Sequence, residues 1–79
     1  MAKLPTDEDK RRGVLRIFNF FKARPGNVLI LPNFLARADE VGLSMDEIAE
    51  GLEILIKTGA VERVGATEFR LTQSGYELM

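Results

Sequence analysis

The sequence predicts a small α+β domain, in which a core of three helices packs beside a short antiparallel sheet. Apolar residues recur at helical spacing in the first third of the chain, which predicts a first helix. A helix-capping signal at Ser44 predicts the start of another helix. Two short strand-like runs, residues 60–64 and 68–72, flank a tight turn and predict a hairpin. Since 79 residues suffice for one domain at most, we expect a tail at 1–5 and a single domain at 6–79.

The first helix has a clear start signal. Thr6 is a suitable N-cap, and the three acids that follow it suit the positive end of the helix dipole. The helix is expected to run to about Arg24, because Pro25 and Gly26 come next. The inward-facing residues recur at i, i+3, i+4 and i+7 and are Val14, Ile17, Phe18 and Phe21.

A short strand and a second helix are expected next. Residues 27–31 read NVLIL and lie between a Pro-Gly pair and Pro32, which predicts a brief strand. Because polar and apolar residues do not alternate in this run, both faces of the strand should be covered. Residues 33–41 predict the second helix, and Gly42 should end it in the left-handed conformation that glycine adopts at little cost.

The third helix is the best defined by local signals. Ser44 and Glu47 make a capping box, and Leu43 with Ile48 make a hydrophobic staple across it. The helix should therefore run over residues 45–58, after which a glycine ends it. Its expected inward-facing residues are Ile48, Ala49, Leu52, Leu55 and Ile56.

The composition excludes several classes of function. No cysteine or histidine occurs in the chain, so disulfides, thiolate metal sites and imidazole bases are all excluded. No nucleophile, base and orienting group occur together, which indicates a non-catalytic protein without a metal, a cofactor or a small-molecule ligand. No apolar run approaches the roughly 18 residues that a membrane span needs, and no signal peptide is apparent. We therefore expect a cytoplasmic protein that does not contact membranes.

The net charge of −1 conceals two oppositely charged segments. All charged residues within 10–24 are basic, and all charged residues within 39–53 are acidic. A strongly dipolar surface is the expected consequence. The bases are Lys10, Arg11, Arg12, Arg16, Lys22 and Arg24, and the acids are Asp39, Glu40, Asp46, Glu47, Glu50 and Glu53.

Two stretches resemble a known family. Residues 41–64, VGLSMDEIAEGLEILIKTGAVERV, and residues 69–78, FRLTQSGYEL, are similar to the winged helix-turn-helix domains of small prokaryotic and phage regulators. The resemblance covers nearly the whole chain. It implies a winged helix with a short wing, in which the third helix reads DNA and the hairpin is the wing. It also implies a role in transcription regulation.

The candidate nucleic-acid contacts are all basic, and two of them would reach phosphates only if the first helix faced the nucleic acid. They are Arg12, Arg16, Lys57, Arg63 and Arg70. The third helix, however, exposes Asp46, Glu50 and Glu53, which repel phosphates and predict weak intrinsic DNA affinity. Asp46 and Glu47 also suit the first turn of the helix. Glu53 and Lys57 have the spacing of an intrahelical ion pair.

A protein-protein adaptor is the alternative function. It would bind a partner through the acidic third helix or through apolar residues on the helix flanks. The candidate residues are Phe20, Asp46, Glu50, Glu53 and Ile54. Ile54 and Gly51 lie off the main apolar face of the third helix, so they contact either a partner or the domain's own first helix or strand. We expect a monomer, or a weak dimer formed through these flanks.

Overall fold

The structure is a computed structural model that describes residues 4–79. Residues 1–3 of the expected N-terminal tail lie outside the described residues. The mixed α+β class is confirmed, and so is the small antiparallel sheet of three strands. The elements are α1 (Asp7–Phe20), β1 (Val28–Ile30), α2 (Leu31–Ala36), α3 (Ala38–Val41), α4 (Met45–Lys57), β2 (Val61–Arg63), β3 (Glu68–Leu71) and α5 (Gln73–Glu77).

The sheet has the strand order β1-β3-β2, so the last strand lies in the centre. Leu29 of β1 and Arg63 of β2 both lie opposite Phe69, whose side chain faces the core. The other face is open, and Val28 and Ile30 are exposed on it. The expectation that both faces of β1 are covered was therefore wrong. The outward positions of this strand are apolar, which hides the alternation.

α1 ends at Phe20, before its predicted end. Lys22 takes a left-handed conformation with a φ of 52°, and the N–H of Ala23 donates to the Phe18 carbonyl at 3.0 Å. This is the hydrogen-bond pattern that usually follows a glycine at a helix end. The prediction relied on the later Pro-Gly pair and missed this end, because a lysine in the left-handed position gives no local signal.

The predicted helix at 33–41 is two short helices. α2 starts earlier than expected because the side chain of Asn33 accepts the last N–H of β1 at 3.0 Å, and Pro32 is well tolerated in a first turn. The chain then bends at Arg37, whose backbone has a φ of −110° and a ψ of 3°. Gly42 ends α3 with a φ of 73°, as predicted.

α4 begins where the local signals placed it and ends at Lys57, one residue before its predicted end. The Ser44 N–H donates to Glu47 Oε1 at 2.8 Å, and the Glu47 N–H donates to Ser44 Oγ at 3.2 Å. Leu43 and Ile48, the expected staple, are both buried in one core cluster. Gly59 follows the helix with a φ of 82°.

The buried face of α4 differs from the prediction at two positions. Ala49 is exposed, and Gly51 is buried instead. A Cβ atom on Gly51 would lie 2.7 Å from the Lys10 carbonyl oxygen and 2.8 Å from a methyl group of Val14. Gly51 therefore lets α4 approach the backbone of α1, and the contact with the domain's own first helix explains this glycine.

Three phenylalanines link the helices to the sheet. The rings of Phe18 and Phe34 meet edge to face with centroids 5.1 Å apart, and those of Phe34 and Phe69 do so at 5.9 Å. All three side chains are buried. These ring contacts join α1 and α2 to β3. None of the helices described between residues 4 and 79 has the length and apolar character to cross a membrane.

Candidate functional site

An open groove lies between the exposed side of α4 and the β2–β3 hairpin. It is here called the α4–hairpin groove. Its floor is apolar, since Leu52 and Phe69 are buried and Leu31 is half-buried. Its rim is charged. The rim residues are Ala49, Glu50 and Glu53 of α4, Arg63 of β2 and Ala66 of the turn.

Glu53 and Arg63 pair across the groove. Glu53 Oε1 accepts a hydrogen bond from Arg63 Nη2 at 2.6 Å. The Arg63 guanidinium also lies 5.6 Å from the centroid of the Phe69 ring, within reach of a cation–π contact. The expected ion pair of Glu53 with Lys57 is not formed, so that prediction was wrong. Glu53 instead accepts a charge-assisted hydrogen bond from Arg63 across the groove.

Glu50 pairs with a cation from another helix. The Lys10 ammonium of α1 lies 3.3 Å from Glu50 Oε1, and it also lies 3.9 Å from Asp7. The close approach of α1 and α4 at Gly51 brings these two side chains together. Glu50 therefore has a structural partner, which the sequence did not indicate.

The other charged residues on the exposed side of α4 are solvated. Asp46 lies in the first turn and Lys57 at the end of the helix, and both are exposed. Neither has a charged partner among residues 4–79. Lys57 is thus the one basic residue that α4 itself presents to solvent.

The two basic candidates of the hairpin lie on opposite faces of the sheet. Arg63 is opposite Phe69 on the core side, whereas Arg70 is opposite Val28 on the open side. Arg70 Nη1 donates to Glu62 Oε1 at 2.6 Å. The two arginines therefore cannot contact the same DNA backbone segment from one face.

The basic candidates of α1 lie outside the α4–hairpin groove. Arg12 Nη2 donates to Glu8 Oε1 at 2.9 Å. Arg16 is exposed and has no carboxylate partner among residues 4–79. The structure thus distributes the five candidate nucleic-acid contacts over separate surfaces.

The two apolar candidates for a protein interface differ in exposure. Phe20, at the end of α1, is exposed. Ile54 of α4 is only half-buried. Arg37 lies over the Phe20 ring, with its guanidinium carbon 5.3 Å from the centroid. Neither this contact nor the pairing of Lys10 with Glu50 could be predicted from local patterns, because both depend on how the helices pack.

The groove therefore combines an apolar floor with charges that are largely paired. Such a surface can bind another macromolecule through shape and apolar contact, with a small electrostatic contribution. Comparisons with known protein families, with characterised proteins and with solved structures give no match.

Proposed function

We propose that this protein is a non-catalytic winged-helix module of the transcription-regulation type, with α4 and the β2–β3 hairpin as the face presented to DNA. The observation that carries the proposal is the α4–hairpin groove. The hairpin follows α4 through Gly59 and lies beside its exposed side. A recognition helix and its wing have this relation in the family that the sequence resembles.

The charges on this face set the affinity. A DNA-binding surface usually gains affinity from several bases that neutralise phosphates. Here Glu53 already pairs with Arg63, and Glu50 pairs with Lys10. Only Lys57 is an unpaired base on α4. Intrinsic affinity for DNA should therefore be weak and should decrease only shallowly as salt increases.

The test is a titration of labelled duplex DNA followed by fluorescence anisotropy at several salt concentrations. Glu53→Gln should tighten binding by about threefold to tenfold, because it removes a repulsion of about 0.6 kcal/mol and frees Arg63 for a phosphate. The matched control is Glu62→Gln, which frees Arg70 on the open face of the sheet. It makes the same change of charge away from the groove.

The two variants separate the possible results. Tighter binding by Glu53→Gln alone supports the α4–hairpin face. Equal tightening by both variants would mean that only net charge matters. No response to either variant, or tight wild-type binding with a steep salt dependence, would contradict this docking face.

A protein-binding adaptor is the second candidate, and the apolar floor of the same groove favours it. Leu31, Leu52 and Phe69 form an apolar surface beside a rim whose charged side chains are paired with each other. Such a surface suits an apolar side chain of a partner better than a phosphate. In this case no duplex should bind at moderate salt. Glu53→Gln should instead weaken capture of a protein partner, since it breaks the pair that shapes the groove wall.

A further inference from the structure

A second surface lies at the C-terminal end of α1, outside the α4–hairpin groove. Most bases of the described chain have a carboxylate within 4 Å. Four bases within residues 4–79 have none, and three of these four lie in the second half of α1 or just after its end. The four are Arg16, Lys22, Arg24 and Lys57.

Two exposed aromatic rings lie among these cations. Phe20 is 45% exposed and Phe21 is 39% exposed, so the expectation that Phe21 faces inward was wrong. The guanidinium carbon of Arg37 lies 5.3 Å from the Phe20 centroid and 5.8 Å from the Phe21 centroid. Phe20 also lines a shallow depression together with Arg16. Phe20 thus lies beside Arg16 and Arg37, and Phe21 lies beside Arg37. Together with Lys22 and Arg24, which follow in the chain, these residues are here called the α1-end surface.

Few acids adjoin this patch. Glu40 of α3 accepts a hydrogen bond from Arg37 at 2.6 Å, Asp39 precedes it in the same helix, and Asp9 lines a second depression together with Arg16. The patch itself contains Arg37 and the three unpaired bases, so basic side chains outnumber acidic ones. This is the reverse of α4, whose exposed side carries more acids than bases.

Exposed aromatic rings among unpaired cations are the chemistry that binds single-stranded nucleic acid. Cations contact the phosphates, and the rings stack on bases. A planar guanidinium such as that of Arg37 can stack on a base as well. Stacking needs a base whose face is free, which a paired duplex does not offer away from its ends.

We propose that the α1-end surface binds single-stranded nucleic acid. Phe20, with Arg37 beside it, provides the stacking platform, and Arg16 and Lys22 contact the phosphates. This surface is distinct from the face proposed for duplex DNA, so either proposal can fail without the other.

The experiment titrates the full chain into a labelled oligothymidylate of about 15 nucleotides, a length near the usual site size of small single-strand binders. Anisotropy is recorded from low to moderate salt. Phe20→Leu should weaken binding about tenfold at each salt concentration, because it removes the ring but leaves the charges. The salt dependence should stay unchanged.

Lys22→Gly tests the phosphate contact of Lys22 without lowering the stability of the fold. The residue has a φ of 52°, which glycine adopts more readily than lysine, so the variant should unfold no more easily than the wild type. It should reduce the slope of log K against log salt by about 0.7, the contribution of one phosphate contact to a single strand. The matched control is Lys57→Gln, which removes the unpaired base of α4 and should leave the slope unchanged.

Several results would overturn the proposal. One is the absence of oligothymidylate binding at low salt, and this result would overturn the proposal even if a protein partner bound the α1-end surface. Another is unchanged affinity in Phe20→Leu, or an equal loss of slope in Lys57→Gln. Equally tight binding of a duplex of the same length, with the same response to Phe20→Leu, would also refute stacking. Glu53→Gln should affect duplex binding alone, which separates this test from that of the α4–hairpin groove.

Discussion

The two ends of α1 use similar residues in opposite ways. Near the N-terminal end, Lys10 is mostly buried and has a carboxylate at 3.3 Å, and the backbone beside it contacts Gly51 of α4 without room for a methyl group. At the other end, Lys22 is exposed and has no carboxylate partner among the described residues. One end of the helix packs against α4, and the other end is exposed to solvent.

The apolar residues of α1 show the same division. Leu15 and Phe20 lie on opposite flanks of the apolar stripe of α1, and Phe20 is one of the candidate residues for a protein interface. Leu15 is buried, whereas Phe20 is exposed. The difference shows that a wide apolar arc on a helix does not define one surface. Which part is covered depends on where neighbouring elements cross the helix.

The largest expected effect tests the structural end of this comparison. Gly51→Ala should lower the free energy of unfolding by about 2 kcal/mol. The added methyl group would meet a backbone oxygen and the Val14 side chain at less than 3 Å, and overpacking of this kind costs about 1 to 3 kcal/mol. The gain in helix propensity, about 1 kcal/mol, offsets only part of a cost near the upper limit. Urea denaturation of both proteins measures the difference.

Gly13→Ala is the matched control, since Gly13 is also inside a helix and gains the same propensity. Its added methyl group would meet Leu43 Cδ1 at 2.6 Å, which is the end of a side chain that can rotate. We expect a change close to zero. A loss as large as that of Gly51→Ala would show that the backbone contact between α1 and α4 has no special importance.

The sequence was sufficient to predict the elements whose signals are local. The start of α4 follows from Ser44 and Glu47, which hydrogen-bond each other within one turn. The hairpin strands were predicted to within a residue or so at each end, at 60–64 and 68–72. Capping boxes and tight turns depend on neighbouring residues alone, so one sequence contains all the necessary information.

The charge partners at the candidate site could not be predicted in this way. Glu53 has Lys57 at the ideal spacing within its helix, yet it pairs with Arg63 of the hairpin. Glu50 pairs with Lys10, which is distant in sequence. Both pairs form because packing brings the elements together, and no local pattern records that packing. The early end of α1 was missed because the left-handed conformation of Lys22 has no local sequence signal.

A smaller effect is expected at the helix caps. Ser44→Ala should lower the free energy of unfolding by about 1 kcal/mol, and Thr6→Ala by about 0.5 kcal/mol. Both residues form capping boxes. However, Ser44 follows buried Leu43, whereas Thr6 follows exposed Leu4 and half-buried Pro5, so the first turn of α1 can fray at lower cost. Thermal unfolding of the two variants would show a larger decrease in Tm for Ser44→Ala, and equal decreases would contradict the argument.

The smallest expected effect concerns the two ion pairs that differ in burial. The carboxylates of Glu50 and Glu62 are similarly exposed, at 58% and 56%, but Lys10 is 15% exposed and Arg70 is 45% exposed. Glu50→Gln should therefore lower the free energy of unfolding by about 0.5 to 1 kcal/mol, and Glu62→Gln by about 0.3 kcal/mol or less. Lys10 loses a partner where water compensates poorly, whereas Arg70 becomes hydrated.

The loss from Glu50→Gln should also shrink less in high salt, because a partly buried pair is screened less than an exposed one. Denaturation of the three proteins at low and high salt measures both quantities. Equal losses with equal salt dependence would mean that Lys10 is as free at its end of α1 as Lys22 is at the other, and the contrast between the two ends would then be one of packing alone.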